Sequence, residues 1–185
     1  MERCAWPGKD KLMIEYHDRE WGVPCRDDKK LFEYMVLDTF QAGLSWQIIL
    51  HKRRGFKNAL ANFNPSRISK FTSHDISRLT KDVNIIRNKQ KILATITNAR
   101  EFLKIQKDFG SFARYIWQFT DHKTITNKWK RNSQLQAQSK ESVVMSKDLK
   151  TRGFKFVGPT ICHAFMQGVG MINDHLLTCF RHKKV

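Results

Sequence analysis

"RGFKFVGPTICHAFMQGVG", residues 152–170, contains the chain reversal on which the fold turns. Its pattern predicts a helix that stops at Gly153, a four-residue turn "FKFV", and a second helix opened by Gly158 and Pro159. Glycine at each end frees the backbone to reverse sharply. The second helix offers unpaired N–H groups and a partial positive charge at its start, and Lys155 in the turn adds a full charge. Such a start suits an anion. The same pattern also describes an ordinary corner between two helices.

Upstream, helical periodicity dominates. "DDKKLFEYMVLDTF" supplies Asp27 or Asp28 as a cap and apolar residues at helical spacing from Leu31 to Phe40. "SWQIILHKRRGFKNALANF" continues the pattern, and "NPSRISKF" sets Pro65 just inside a helix start after Asn64. In "RNKQKILATITNAREFLKIQKDFG", Ile92, Ile96, Ala99 and Leu103 form a stripe that Gly110 ends. "SFARYIWQF" predicts another short helix, and "SVVMSKDLKTRG" the one that leads into the hairpin. Between them, residues 120–140 are polar and basic and predict a long surface connection. No repeat and no sustained two-residue alternation occur. The expected fold is all-α, one domain over 1–185, with room for two helical lobes flanking a cleft.

Apolar residues make up 41% of the chain, including 13 Phe and 5 Trp, enough for a substantial core. No apolar run is long enough to span a membrane, and "MERCAWPGKD" lacks a signal-peptide core. The four cysteines therefore predict reduced thiols in a cytoplasmic protein. Thirty-four Lys and Arg against 17 Asp and Glu leave a formal charge of +17, spread along the chain. A polyanionic partner follows: nucleic acid first, an anionic membrane surface second. Helix, tight hairpin, helix is how the helix-hairpin-helix module holds a DNA phosphate, and the charge favours that reading over the plain corner.

Cys4 and His17 stand near one end of the chain, His175 and Cys179 near the other. The latter two are four apart, so a helix would bring them to one face. Together the pairs make a Cys₂His₂ set suited to tetrahedral Zn²⁺ with no open position, a structural site that joins the termini. Two unrelated pairs, or a Cys4–Cys179 disulfide, remain open on spacing alone. His51, His74, His122, His163 and His182 have no such pairing and are expected at the surface or in the core. A deaminase-type catalytic zinc is not encoded, since Pro24-Cys25 stands without the rest of that motif.

Aromatic residues crowd the N-terminal third: Trp6, Tyr16, Trp21 and Trp46. Flat faces of this kind hold an extruded base, although core packing accounts for them as well. Asp38, one to two turns before "AGLSW", is either a carboxylate that recognises a ligand amine or part of a solvated helix face. Leu44, beside Gly43 in that motif, reads as a wedge for a base stack or as core.

The motifs "MERC", "YHDREWGVP", "AGLSW", "IIRNKQKI", "RGFKFVGPTIC" and "NDHLLTC", in this order, closely resemble the bacterial DNA-3-methyladenine glycosylase I family from Met1 to about Cys179. The resemblance implies an all-α helix-hairpin-helix glycosylase fold and a structural zinc on Cys4, His17, His175 and Cys179. It implies Tyr16 and Trp46 as stacking platforms, with Trp6 and Trp21 nearby and Met13 where relatives often have tyrosine. Asp38 stands where the family has a glutamate and Phe40 where glutamine is common. Leu44 on Gly43 would fill the space left in the duplex, while Gly153, Lys155 and Gly158 hold the backbone.

The implied activity is monofunctional hydrolysis of the N-glycosidic bond of 3-methyladenine in double-stranded DNA, leaving an abasic site and releasing the free base. A monomer acting on the bacterial nucleoid suffices. Asp38 takes the catalytic recognition role, and Asp174, sixteen residues past Gly158, ranks behind it. The rivals are a DNA-binding paralogue with weak or altered excision and a basic RNA-binding helical protein. The second lacks any RNA-module signature.

Overall fold

The computed structural model describes residues 2–185; Met1, the first residue of "MERC", lies outside them. Nine α-helices are described: α1 (Lys11–Arg19), α2 (Asp28–Gln41), α3 (Trp46–Ala59), α4 (Pro65–Ile68), α5 (Ser73–Lys81), α6 (Lys89–Phe109), α7 (Phe112–Trp117), α8 (Lys140–Thr151) and α9 (Pro159–Gly168).

Most helix starts are fixed by a side chain that takes a free backbone donor. Asp10 accepts from Met13 N, Asp27 from Lys30 N, Asn64 from Arg67 N, Asn88 from Lys91 N and Ser111 from Arg114 N. Asp27, not Asp28, caps α2. Asp28 instead receives the N–H groups of Phe112 and Ala113, which ties the start of α2 to the start of α7.

The core lies where α2 packs against α6 and α9, with α8 packed along α9. At its centre Phe32 packs edge-on against Phe102, ring centroids 5.0 Å apart, and Phe102 stacks on Phe112 at 4.2 Å; none of the three is exposed. The buried stripe of α6 runs Ile92, Ile96, Ala99, Phe102 and Ile105. Leu103, expected in it, is only half buried because the register turns Phe102 inward instead.

Three features depart from the sequence expectations. A two-residue parallel pairing joins β1 (Ile125–Thr126) to β2 (Ile172–Asn173), with α8 and α9 forming the crossover between the strands. The stretch holding His175 and Cys179 is a series of turns beyond β2, not a helix. In the hairpin, Gly153 takes φ +95°, but Gly158 sits at φ −65°; Phe156, at φ +56°, supplies the second left-handed step. The reversal therefore needs glycine at one end only.

Candidate active site and metal centre

A cavity of about 300 Å³ opens where five pieces of chain meet. Trp6, Tyr16 and Trp21 come from the N-terminal segment, α1 and the turn after it; Asp38 and Gln41 from the end of α2; and Trp46 from the start of α3. Ala164 and Gln167 of α9, with Leu135 and Gln136 of the long connection, complete the wall. Its size lies at the lower end of small-ligand sites, which run from about 300 to 1,000 Å³.

Three polar atoms on the cavity's residues lack partners among the described residues. Asp38 is 3% exposed, and its Oδ2 makes no hydrogen bond; the indole N–H groups of Trp6 and Trp46 are likewise buried and unpaired. Burial raises the Asp38 carboxyl well above the usual carboxylate range. Native proteins seldom leave such groups unsatisfied, because each costs about 1–3 kcal/mol. One unpaired carboxyl oxygen and two unpaired indole N–H groups on residues of one wall suit a planar ligand that carries both donors and acceptors. Burial also excludes the reading of Asp38 as part of a solvated helix face.

The rings form a corner. Tyr16 packs on Trp46 with centroids 5.1 Å apart and on Trp6 at 6.3 Å. A planar ligand between two faces needs roughly 7–8 Å from one to the other, twice an aromatic contact distance. Tyr16 and Trp46 as they stand touch each other with their planes inclined by 47°, so no slot for a planar ligand opens between them. Met13 is absent from this wall: it is 8% exposed and packs into the core. Leu44, by contrast, is 38% exposed on the turn between α2 and α3, where Gly43 takes φ +77°. Buried Lys91 pins that turn by donating from Nζ to the carbonyls of Phe40 and Ala42.

Behind the aromatic wall, Cys4, His17, His175 and Cys179 converge, all buried, with one ligand atom from each within 4.8 Å of the others. Cys179 Sγ lies 3.6 Å from His17 Nε2 and 3.5 Å from His175 Nδ1, and Cys4 Sγ lies 3.8 Å from His175 Nδ1. A tetrahedral Zn²⁺ with sulfur at about 2.3 Å and nitrogen at about 2.0–2.1 Å requires S···N edges of about 3.6 Å. The spacing fits. The outer nitrogen of each ring is held as well: His17 Nδ1 lies 2.7 Å from Asp18 Oδ1, and His175 Nε2 lies 3.1 Å from the Trp21 carbonyl. Such contacts fix the tautomer that turns the inner nitrogen to a metal. All four cysteines are free thiols, so no Cys4–Cys179 disulfide forms. Burial pushes the Cys4 thiol up to about 12 and His175 down to about 4, so both wait uncharged where a cation would favour thiolate.

The metal cluster and the cavity share walls. Trp21 packs edge-on against His175 with centroids 4.6 Å apart, and Trp6 against His17 at 5.4 Å.

The hairpin of residues 153–158 projects between α8 and α9, with Lys155 exposed at its tip. Asn98 of α6 grips its backbone twice, donating to the Lys155 carbonyl at 3.0 Å and accepting from its N–H at 2.8 Å.

Asp174, 1% exposed, receives hydrogen bonds from Asn127, Trp129 and Gln167. Burial opposes its charge, but these donors together with His163 outweigh that effect and hold the carboxyl below the usual range. It does not line the cavity; Gln167, which it holds, does. Gln41, Leu135, Gln136, Ala164 and Gln167 went unnoticed in the sequence. Leu135 and Gln136 sit in a featureless polar stretch, and Ala164 and Gln167 within a hairpin helix read for its start. Among the remaining histidines, His51, His74 and His122 are exposed, whereas His163 and His182 are buried.

The profile of the Methyladenine glycosylase family matches residues 6–182. DNA-3-methyladenine glycosylase 1 of Escherichia coli (strain K12) is 43% identical over 179 residues, covering 97% of this chain and 96% of that protein. A crystal structure of 3-methyladenine DNA glycosylase I superposes with a TM-score of 0.95 at 42% identity, covering 97% of this chain and 98% of that one. A tyrosine-to-phenylalanine variant of 3-methyladenine DNA glycosylase I, in complex with 3-methyladenine, superposes at 0.94 with 34% identity and 97% of each chain covered. With its helical core, its aromatic cavity and a matched profile that spans nearly its whole length, this chain belongs to the methyladenine glycosylase family.

Proposed function

We propose that this protein hydrolyses the N-glycosidic bond of 3-methyladenine in alkylated duplex DNA, releases the free base and leaves an abasic site. The observation that carries the reading is the unpartnered Asp38 carboxyl in an aromatic cavity, in a chain whose relatives include a glycosylase held with 3-methyladenine.

Methylation at N3 gives the base a formal positive charge, which makes it a good leaving group. The protein then has three tasks: to extract the base, to recognise it, and to let water attack a sugar that gains oxocarbenium character. Extraction costs a few kcal/mol, less for a damaged base. Stacking offsets this by about 1–3 kcal/mol per base, and the rings of Tyr16 and Trp46, with Trp6 and Trp21 nearby, supply it. Asp38 supplies recognition. A cationic base is the partner its buried carboxyl lacks, and the base favours the ionised acid as burial does not. The exocyclic amine gives that carboxylate a donor to accept from. Neutral adenine brings the amine without the charge and gains less.

In this reading Leu44 enters the gap left by the extracted base, and the hairpin holds the backbone through Gly153, Lys155 and the N–H groups that follow Gly158. The module is then a helix-hairpin-helix. The Cys₂His₂ set holds one Zn²⁺, which when bound cross-links the termini and has no open position for water. One chain carries every part of the site, so a monomer acting at the nucleoid in the cytoplasm is sufficient. Among the described residues no helix is long and apolar enough to cross a membrane.

Titration with free 3-methyladenine, followed by tryptophan fluorescence and by location of the bound base, tests the pocket. Saturable quenching with the base seated against Asp38, Tyr16 and Trp46 supports the reading. Binding elsewhere, or none, removes it.

A further inference from the structure

Gln167 lies on the cavity wall, and its side-chain amide is committed on one side only. Nε2 donates to Asp174 Oδ2 at 2.6 Å. The other carboxylate oxygen, Oδ1, receives Asn127 Nδ2 and Trp129 Nε1, both at 2.7 Å. An indole N–H only donates, so Oδ1 acts as an acceptor. With donors on both its oxygens, Asp174 is held in the acceptor form. An amide turned the other way would set its carbonyl oxygen against a carboxylate oxygen. The amide therefore has one orientation. The backbone is fixed too, since the Gln167 carbonyl accepts from Gly22 N at 3.0 Å. Oε1 has no hydrogen-bond partner among the described residues, and it is the end of the amide left for whatever fills the cavity.

We propose that Gln167 distinguishes a 6-amino purine from a 6-oxo purine in this cavity, with Oε1 accepting from the exocyclic amine, and that Asp174 is the positioning residue that keeps Oε1 facing the base. The inference rests on the reading of the cavity as a pocket for an excised base. A 6-oxo group brings an oxygen to the same place, acceptor against acceptor. Gln167 cannot offer nitrogen instead without giving up its bond to Asp174. A site built to pair with one donor rejects the analogue that lacks it, because its own polar atom is then left unpaired.

The test uses the full-length, metal-loaded protein and duplex DNA methylated to contain both 3-methyladenine and 3-methylguanine. The readout is the ratio of the two kcat/KM values from chromatography of the released bases. Gln167→Met, nearly equal in length and without polar atoms, is expected to lower 3-methyladenine release about tenfold and to leave 3-methylguanine release nearly unchanged. The ratio then falls by the same factor. Asp174→Asn frees the amide to turn and is expected to lower the ratio at least severalfold. A merely structural defect slows both bases together and leaves the ratio alone, so an unchanged ratio in the variants that fold overturns the inference. Melting temperature and zinc content identify a variant that fails to fold, in which case the other variant decides. If the unsubstituted protein releases neither base, the excision reading itself fails. If it releases 3-methyladenine and the ratio does not move, only the inference about Gln167 fails.

Discussion

His17 Nδ1 lies 2.7 Å from Asp18 Oδ1, and this contact turns the opposite nitrogen of the ring toward Cys179 Sγ, 3.6 Å away. Asp18 is itself held in its ionised form, with its carboxyl lowered to about 2, chiefly by the paired hydrogen bonds from Arg3. Metal affinity is therefore expected to depend on a residue that never touches the metal. Asp18→Asn should weaken zinc retention about 10–100-fold in competition with a chromogenic chelator. Retention equal to the parent would separate Asp18 from the metal centre.

A metal held by Cys4, His17, His175 and Cys179 would also support the cavity, because Trp6 and Trp21 pack on His17 and His175. Chelation is expected to lower the melting temperature and to weaken 3-methyladenine binding together. A metal-free protein with unchanged base affinity would show that the aromatic wall stands without its support.

Asp38 couples function to stability. Its carboxyl is raised well above the usual range by burial, so the native state keeps a proton that the unfolded chain releases above about pH 4. Native stability is thus lost as pH rises beyond the ordinary aspartate range, and an amide escapes the loss. Asp38→Asn is expected to melt a few degrees higher than the parent at pH 7.5, with the gap closing toward pH 4. The same variant should cut 3-methyladenine excision by at least about tenfold while duplex affinity changes little. Calorimetry across pH and single-turnover base release check the two halves, and a variant less stable at neutral pH contradicts the first.

Asn98 offers a way to loosen the hairpin without altering its surface charge. Asn98→Ala removes both contacts to the Lys155 backbone. Duplex affinity should fall about tenfold, as two hydrogen bonds at about 0.5–1.5 kcal/mol each allow, while affinity for the free base stays the same. Equal losses in both would place Asn98 in the general fold.

Lys91 is a buried cation with no carboxylate partner among the described residues, its Nζ spent on the carbonyls of Phe40 and Ala42 where α2 ends. Lys91→Met leaves these acceptors unpaired and should cost about 1–3 kcal/mol of stability. It should also slow base extraction more than it weakens binding of free 3-methyladenine, because the turn that carries Leu44 loses its anchor. Stopped-flow fluorescence with a base analogue beside the lesion measures the extraction step.

Helix starts were legible in the chain at Asp27 and Asn64, and the long helix α6 through its apolar stripe and the Gly110 stop, whereas α1 and α5, which begin after Asp10 and Thr72, are too short to carry a long apolar stripe. The metal cluster was legible as residue types but not as local structure. The spacing of His175 and Cys179 suggested a helix, yet a turn also returns the chain after four residues, and here Asn173 fixes that turn by accepting from His175 N. Much of the cavity wall was hidden for another reason. Leu135 and Gln136 belong to a stretch with no periodicity, and long-range ties through Asn127 and Trp129, both of which donate to Asp174, hold it near the pocket. Long-range polar contacts of this kind leave no signature in spacing. Met13 departs in the opposite sense: a family position predicted a pocket contact, but the residue is buried without lining the cavity.

Release of free 3-methyladenine from alkylated duplex under single-turnover conditions, by folded and zinc-loaded protein, tests the central claim most directly. Liberation of the modified purine at a rate well above the spontaneous one, with an abasic site left in the strand and the activity lost in Asp38→Asn, is the predicted result. An intact lesion after prolonged incubation, with the protein bound to the duplex and still carrying its metal, would contradict the account.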